Sequence, residues 1–423
     1  MFQTIEQCTD FIFQLKASQY KGEPLQSAQI ILNALGNPEK KNQFIHFAGS
    51  NGKGSTLNAA REILIAHDLT VGAFISPHLE RANERVTINK HQISDKDFLH
   101  IANRLGEIIN DKLDGKFPSF FEFMTLLALQ YFAEQQVDVV LLETGIGGRL
   151  DSTNVVIPEV SVITTISLEH TDMLGESYEQ IAAEKAGIIK AMKPVVVGVK
   201  NKEALSVIKE VAKQLRAPLY MLNEQFYIEN IKNSNFDYVS DINIRNIEMA
   251  MVGEHQKANA ALAITAVKLF LPSVDGQKVK QALQNAKWDG RFERVSGNII
   301  LDGAHNSEGT MALVETIKEV APHHKVKFVY AALQDKDHAV SIELMDKVAT
   351  EMHFTQINLP RAATANQLFE QSNHAKKFMH PDWQQLIETE KAILAEDEML
   401  VITGSLYFIA DVRSLFLKKG WIS

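Results

Sequence analysis

Apolar runs of strand length alternate with amphipathic stretches of helix length along most of this chain. That rhythm restricts the fold more than any single residue does. Strand candidates are Phe44–Ala48, Val71–Ile75, Val137–Glu143, Val160–Ser167 and Val195–Val199, then Asn298–Asp302, Val326–Leu333, Phe354–Leu359 and Met399–Thr403. Between them lie Ser55–His67, Phe121–Glu134, Glu203–Leu215, Ala258–Phe270, Ser307–Val320 and Leu406–Leu417. Strand, helix, strand in repetition predicts an α/β fold with largely parallel sheets. The stretch Tyr220–Val252 interrupts the pattern and reads as a small antiparallel meander with a turn at Asn233-Ser234-Asn235. A single core stops growing near about 250–300 residues, so a chain of 423 residues should hold two domains. A polar, glycine-containing stretch at Glu293–Gly297 precedes a fresh strand, and the expected division is 1–293 and 294–423.

Charge and cysteine usage narrow the function classes. Lys and Arg total 43 against 52 Asp and Glu, a net charge of -9, which argues against nucleic acid or an anionic membrane as the main partner. One cysteine, Cys8, excludes an intramolecular disulfide and a cysteine-built zinc site. The first residues carry Glu6 and Asp10 and no basic stretch, so no secretory signal is expected. No apolar run approaches the roughly 18–20 residues that span a bilayer. A cytoplasmic protein is the expectation.

Residues 46–56 read His-Phe-Ala-Gly-Ser-Asn-Gly-Lys-Gly-Ser-Thr between a strand and a helix. Gly49, Gly52 and Gly54 allow a tight turn that aims backbone N–H groups at one point, and the helix start adds its positive dipole end. Lys53 supplies a charge for β- and γ-phosphate oxygens, and Ser55 or Thr56 a hydroxyl. The spelling departs from G-x-x-x-x-G-K-[ST]: Phe47 stands at the first glycine, and Gly54 separates lysine from hydroxyl.

Three further donors fall at strand ends. Ser76 opens Ser-Pro-His, Glu143 precedes Thr-Gly-Ile-Gly-Gly-Arg, and His170 follows in Leu-Glu-His-Thr. Ligands in doubly wound sheets bind off the carboxyl ends of strands, where the glycine-rich loop also lies. Ser76, Glu143 and His170 suit a Mg²⁺ ion that keeps waters and leans on substrate phosphates. Singly, Ser76 could cap a turn, Glu143 could pair with Arg149, and His170 could be a loop histidine. Lys185, in Glu184-Lys185-Ala186-Gly187, could pair with Glu184 or Glu179, or be carbamylated by CO₂ into a metal-binding carboxylate.

The motifs together resemble folylpolyglutamate synthase and bacterial dihydrofolate synthase of the Mur ligase superfamily. The strings are His46–Thr56, Ser76-Pro77-His78-Leu79, Glu84-Arg85-Val86, Glu143–Asn154, Leu168–Thr171, Glu184–Ile188, Gly253–Asn259, Trp288–Glu293, Asp302–Asn306, Asp335-Lys336-Asp337 and Thr403–Tyr407, in family order over nearly the whole chain. Ser50 stands where the family usually has Thr, and Asp289 where it has Pro. The resemblance implies a phosphate-loop ATPase domain followed by a smaller Rossmann-like domain, with the active site in the cleft between them. It implies ATP at Asn51, Gly52, Lys53, Gly54 and Ser55, with Asn259, Arg291 and Asp302 as further contacts. Ser76, Glu143 and His170 become the Mg²⁺ ligands, with two metal sites and a carbamylated Lys185. Phe120, Phe121, Glu122 and Phe123, with Leu150, Asp151 and Ser152, would wall a pterin or folate pocket. His305, Ser405 and Tyr407 would meet the incoming glutamate.

The implied reaction is ATP-driven amide formation through an acyl phosphate, with Lys53, Glu143, His170 and Lys185 as the catalytic set. The substrates would be dihydropteroate or tetrahydrofolate and L-glutamate, used by a bifunctional dihydrofolate and folylpolyglutamate synthase, expected to be a monomer. A folylpolyglutamate synthase alone is the first alternative, and a nucleotide-binding switch without ligase activity the second. A peptidoglycan-building ligase would need a UDP-binding domain ahead of the loop, and 48 residues before Gly49 are too few.

Overall fold

The computed structural model describes residues 2–232, 235–334 and 338–422. Asn233 and Ser234, the first two residues of the expected turn, and the string Asp335-Lys336-Asp337 lie outside the described residues. The chain divides into two compact units. One runs to Met249 and resumes over Lys257–Ala286, and the other comprises Ala250–Gln256 and the chain from Lys287 onward.

In the first unit the strands are β1 Phe44–Ala48, β2 Val71–Phe74, β3 Val86–Ile88, β4 His91–Gln92, β5 Val139–Glu143, β6 Val160–Ile163, β7 Val195–Val197 and β8 Leu219–Met221. Among the described residues they form one sheet in the order β4-β3-β2-β5-β1-β6-β7-β8. The run from β2 to β8 is parallel, and β3 and β4 attach as an antiparallel edge. β1 sits at the centre, with Phe47 opposite Glu143 of β5 and Ala48 opposite Ile163 of β6. These registers bring the carboxyl ends of β1, β5 and β6 to one edge. The antiparallel meander is β9 Tyr227–Lys232, β10 Asn235–Val239 and β11 Asn243–Glu248. It begins later than the sequence indicates, because Leu219–Met221 joins the main sheet.

The helices of this unit are α1 Ile5–Phe13, α2 Gln26–Ala34, α3 Lys53–Ala66, α4 Asp95–Leu113, α5 Phe120–Gln135, α6 Thr171–Leu174, α7 Tyr178–Ala186 and α8 Lys202–Gln214, with α10 Gly276–Asn285 and, from Lys257 onward, α9 Glu254–Phe270. α5 is apolar on nearly every side, and its residues from Glu122 to Phe132 are buried, as an all-round apolar helix must be. α4 instead turns Phe98, Ile101, Leu105 and Ile109 inward and its charges outward. Ser94 and Ser119 start these two helices, their hydroxyls accepting from the amides of Asp97 and Glu122. One core packs α1, α2, α4 and α5 against the sheet, and another packs α7 and α8 against β6 and β7.

The expected strand Val160–Ser167 stops at Ile163. Thr164–Ser167 leaves the sheet because its backbone and hydroxyls bond the glycine-rich loop instead. The unit also holds α1, α2, α4, α6, α10, β3 and β4, which the sequence pattern does not predict.

The second unit carries β12 Glu293–Ser296, β13 Ile299–Leu301, β14 Lys325–Tyr330, β15 Glu351–Phe354, β16 Lys377–Met379 and β17 Glu398–Thr403. Among the described residues the order is β12-β13-β17-β14-β15-β16, parallel except for β12. Its helices are α11 Ser307–Val320, α12 His338–Asp346, α13 Ala365–Gln371, α14 Trp383–Ile393 and α15 Leu406–Lys418, and two apolar clusters line the sheet. The expected strand Phe354–Leu359 lies earlier, at Glu351–Phe354, where polar Glu351 and His353 masked the pattern. No helix among the described residues is long and apolar enough to cross a membrane.

Candidate active site

The glycine-rich loop leaves β1 and enters α3 with Gly52 as the helix-start residue at φ +85. A side chain at Gly52 would be strained, and its Cβ would lie 2.5 Å from the Asn259 Oδ1. The loop thus needs glycine both for its turn and for the close approach of Asn259. Thr165 fixes the loop from β6: its carbonyl accepts from the Ser50 amide at 2.8 Å, and its hydroxyl from the Asn51 amide at 2.9 Å. The Thr164 hydroxyl donates to the Asn51 carbonyl at 2.6 Å, and the Ser50 hydroxyl accepts from the Ser167 amide at 2.9 Å. The Lys53 ammonium donates to the Gly49 carbonyl at 2.9 Å. Ser55 and Thr56 are both buried at the start of α3.

Glu143 ends β5, buried, and its Oε2 accepts from the Ser76 amide at 3.0 Å. The Glu143 carboxylate thus lies against the backbone of Ser76, and the bond does not involve the Ser76 hydroxyl. His170 starts α6 in the left-handed region, at φ +47. Among the described residues, no three His, Cys, Asp or Glu side chains cluster closely enough to hold a metal on their own. A hydroxyl and a carboxylate are hard oxygen donors and an imidazole is a borderline one, so the set suits Mg²⁺ only if water and phosphate oxygens complete it.

The segment after Glu143 is clamped to the end of α7. The Arg149 amide donates to the Glu184 carbonyl at 2.7 Å, and the Arg149 guanidinium binds the Glu184 carboxylate at 2.7 Å. A Cβ at Gly148 would lie 2.8 Å from the Glu184 carbonyl oxygen and 2.9 Å from that of Lys185. Only glycine lets these backbones meet. Asn154 ties the same pieces, its Nδ2 donating to the Arg149 carbonyl at 3.0 Å and the Gly187 carbonyl at 3.2 Å.

The clamped helix carries Lys185, 2% exposed along its side chain, with Nζ 3.1 Å from the Glu169 Oε1. Burial pulls Lys185 down to about 8; the charge of Lys53 adds to that, and Glu169 opposes it. Burial pushes Glu169 up, but the charge of Lys185, then that of Lys53, outweighs it and leaves Glu169 at about 2. Lys185 thus pairs with neither Glu184 nor Glu179. Its partner Glu169 was passed over in the sequence, although it stands beside His170 in Leu168–Thr171.

The residues selected for a folate wall separate into two groups. Phe120 and Phe121 are half-buried, Leu150 is 49% exposed and Ser152 half-buried, while Phe121 packs over Gly145. Phe123 lies fully in the core, and the Glu122 carboxylate accepts from the Ser27 hydroxyl at the start of α2. Asp151 is also turned inward. Its carboxylate accepts from the amides of Gly145, Ile146 and Thr153 at 2.9, 3.0 and 2.9 Å. Burial pushes this carboxyl up, against the pull of those donors.

In the second unit, Asp302 follows β13. Its carboxylate accepts from the amides of Phe292 at 2.8 Å and Ala304 at 2.9 Å. Burial pushes it up, and the charge of Arg291 works against that. His305 bonds the Gly303 carbonyl through Nδ1 at 2.9 Å. Ser405 caps α15, accepting from the Tyr407 amide at 3.2 Å. The loops after β13 and β17 adjoin, since the Gly404 amide donates to the Ala304 carbonyl at 3.1 Å. Arg361, not selected from sequence, lies 5.4 Å over the Tyr407 ring and donates to its hydroxyl at 3.2 Å.

Residues 47–267 match the Mur ligase middle domain, and residues 290–406 match the Mur ligase glutamate ligase domain. The chain is a Mur ligase. It is 37% identical over 397 residues to a dihydrofolate synthase/folylpolyglutamate synthase of Bacillus subtilis, covering 90% of this chain and 92% of that one. Two solved structures are similar throughout. One is Escherichia coli FolC in complex with DHPP and ADP, with 28% identity, 99% of each chain covered and a TM-score of 0.91. The other is the bifunctional folylpolyglutamate synthase/dihydrofolate synthase of Yersinia pestis with AMPPNP and a Mn ion, with 30% identity, 98% of each chain covered and a TM-score of 0.90. Within the Mur ligases, the chain belongs to the dihydrofolate synthase/folylpolyglutamate synthase family.

The Lys185–Glu169 pair sets an expected pH response. Glu169 is depressed when folded, so its contribution is complete above its ordinary value of 4.5 and fades as pH falls towards about 2. Glu169→Gln leaves Lys185 buried without its counter-charge and should lower the unfolding free energy at pH 7 by about 3 kcal/mol. Urea melts should show the gap to wild type closing between those two pH values. A gap constant over that range would contradict the pairing.

Proposed function

We propose that this protein joins L-glutamate to a pteroate or folate carboxylate with cleavage of ATP, acting as both dihydrofolate synthase and folylpolyglutamate synthase. The observation that carries the reading is the line of charge Lys53, Glu169 and Lys185, set beside a glycine-rich loop at the edge where β5 also delivers Glu143. The Escherichia coli and Yersinia pestis relatives bind ADP or AMPPNP and, in one case, Mn.

The acceptor's carboxylate oxygen attacks the γ-phosphorus of ATP, and the bond to ADP breaks. The glutamate nitrogen then attacks the acyl-phosphate carbonyl; it loses a proton, and phosphate leaves with the carboxylate oxygen that had attacked. The first step brings an anion onto a polyanion, so charge neutralisation and alignment dominate it. In this reading Asn51, Gly52, Lys53, Gly54 and Ser55 hold the phosphates. Lys53 exchanges its loop carbonyls for β- and γ-phosphate oxygens. Asn259, Arg291 and Asp302 are further nucleotide contacts. Ser76, Glu143 and His170, with Lys185 once carbamylated, would hold up to two Mg²⁺ ions, which would supply Lewis-acid charge at the γ-phosphate. Phe120, Phe121, Leu150 and Ser152 face the acceptor, with Asp151, Glu122 and Phe123 supporting them from behind. His305, Ser405 and Tyr407 receive glutamate, with Arg361 orienting Tyr407. The reading makes residues 1–293 the ATP-binding domain and 294–423 the glutamate ligase domain, which also supplies Asp302, in a cytoplasmic monomer. An acyl phosphate hydrolyses in water, so exclusion of solvent must precede it.

Lys185 fits carbamylation. Burial raises its neutral fraction, and the neutral amine is the form that attacks CO₂, forming an N–C bond and losing a proton. The resulting carbamate would sit beside Glu169, and only a cation between them would stabilise two anions there. Carbon-13 bicarbonate should give a carbamate resonance in wild type with Mg²⁺ that Lys185→Ala lacks. Identical spectra would remove the carbamate while leaving the ligase reading intact.

A relative in Lacticaseibacillus casei, 32% identical over 402 residues, is named folylpolyglutamate synthase alone, and this favours polyglutamate extension as the second reading. ADP release should require acceptor, ATP and L-glutamate together. Activity with both dihydropteroate and tetrahydrofolate supports the bifunctional reading, and activity with tetrahydrofolate alone supports the second. Lys53→Ala should lower turnover by at least about 100-fold, as expected when a transition-state charge contact is lost. Near-normal turnover in that folded variant would overturn the phosphate-loop assignment.

A further inference from the structure

His46 is a buried polar residue that the proposed reaction does not use. It lies on β1, fully buried, between Leu142 of β5 and Ser161 of β6. Its strand neighbours Ile45 and Phe47 are fully buried and apolar, as suits a central parallel strand. An imidazole there is costly unless it bonds.

Among the described residues it makes one bond, from Nε2 to the Thr153 Oγ1 at 2.8 Å, and Nδ1 has no partner. The direction of that bond follows from the next group. The Thr153 hydroxyl is bonded to the Asp151 Oδ1, whose carboxylate takes donors on both oxygens and therefore accepts. The Thr153 hydrogen points to Asp151, so a Thr153 lone pair receives Nε2–H. Burial, then the charge of Lys190, pushes His46 down to about 3, so the ring stays a neutral donor. Lys190 itself bonds the Asn154 Oδ1 at 2.7 Å, on the same loop.

A chain of bonds thus runs from the strand that ends in the glycine-rich loop, through Thr153 and Asp151, to the amides of Gly145 and Ile146. It spans the segment that exposes Ile146 and Leu150. We infer that His46 is a positioning residue for the acceptor substrate, fixing through Thr153 and Asp151 the loop that presents Ile146, Leu150 and Ser152. The identity of that substrate rests on the ligase reading; the ordering of the loop does not.

Steady-state kinetics and hydrogen exchange on His46→Leu, His46→Gln, Thr153→Val and the His46→Leu/Thr153→Val double variant test this. His46→Leu and Thr153→Val should each raise the acceptor KM about tenfold, the factor matching one lost hydrogen bond, with the ATP KM within about twofold. Exchange should quicken over residues 144–154 and stay unchanged over 51–57. His46→Gln keeps an N–H for Thr153 and should restore the acceptor KM to within about threefold of wild type. The double variant should be no worse than either single one, because both break one chain. If His46→Leu fails to fold, Thr153→Val leaves β1 intact and carries the test. An unchanged acceptor KM with unchanged exchange overturns the inference. So does an equal rise in both KM values with no recovery in His46→Gln, which marks a merely structural role. Wild type inert with either acceptor overturns the ligase reading and with it the identity of the substrate. Active wild type with indifferent variants overturns the positioning role alone.

Discussion

The backbone of Gly148 and Arg149 lies directly on the carbonyls that end α7, and the arrangement of charge in the first unit depends on that contact. It joins the segment leaving Glu143 to the helix carrying Lys185, through an amide bond of 2.7 Å between Arg149 and Glu184. A side chain at Gly148 would push the helix away. With the contact in place, Lys185 is held where water cannot reach it and Glu169 becomes its partner. A buried ammonium without such a partner would be strongly destabilising, so the ion pair is what makes the burial of Lys185 tolerable.

The same economy holds around the glycine-rich loop. β1 and β6 run parallel, and Thr164 and Thr165 leave β6 at the level where Gly49 leaves β1. Their hydroxyls and carbonyls bond the turn and hold it in shape, which in the proposed reading prepares it for phosphate. Lys53 meanwhile rests on the Gly49 carbonyl, the partner that the proposed reading has it exchange for a phosphate oxygen. Under that reading a preorganised loop would not have to reorient dipoles during phosphoryl transfer.

Much of this was legible in the sequence because it depends on local pattern. The alternation of strands and helices pointed to the α/β class, and the spacing of Gly49, Gly52, Lys53 and Gly54 marked the loop. Strand ends were less legible. Val160–Ser167 is uniformly β-favouring, yet its last four residues answer to a loop more than a hundred residues earlier. The Lys185–Glu169 pair was hidden for a similar reason: Glu184 and Glu179 lie nearer along the helix, and only the fold shows that they point elsewhere. Glu122, Phe123 and Asp151 share strings with half-exposed neighbours, so sequence alone joined wall and support. In physical terms, periodicity reports which face is buried but not which distant group satisfies a buried polar atom.

The central claim is that the site transfers a phosphoryl group to a carboxylate oxygen before the amine attacks. Isotope transfer tests this most directly. An acceptor labelled with oxygen-18 in its reacting carboxylate, incubated with ATP, L-glutamate and the protein, should yield phosphate carrying one labelled oxygen for each amide formed. Amide formation with unlabelled phosphate would mean that the carboxylate is activated in another way, and would contradict the phosphate-binding role of Lys53 and its neighbours.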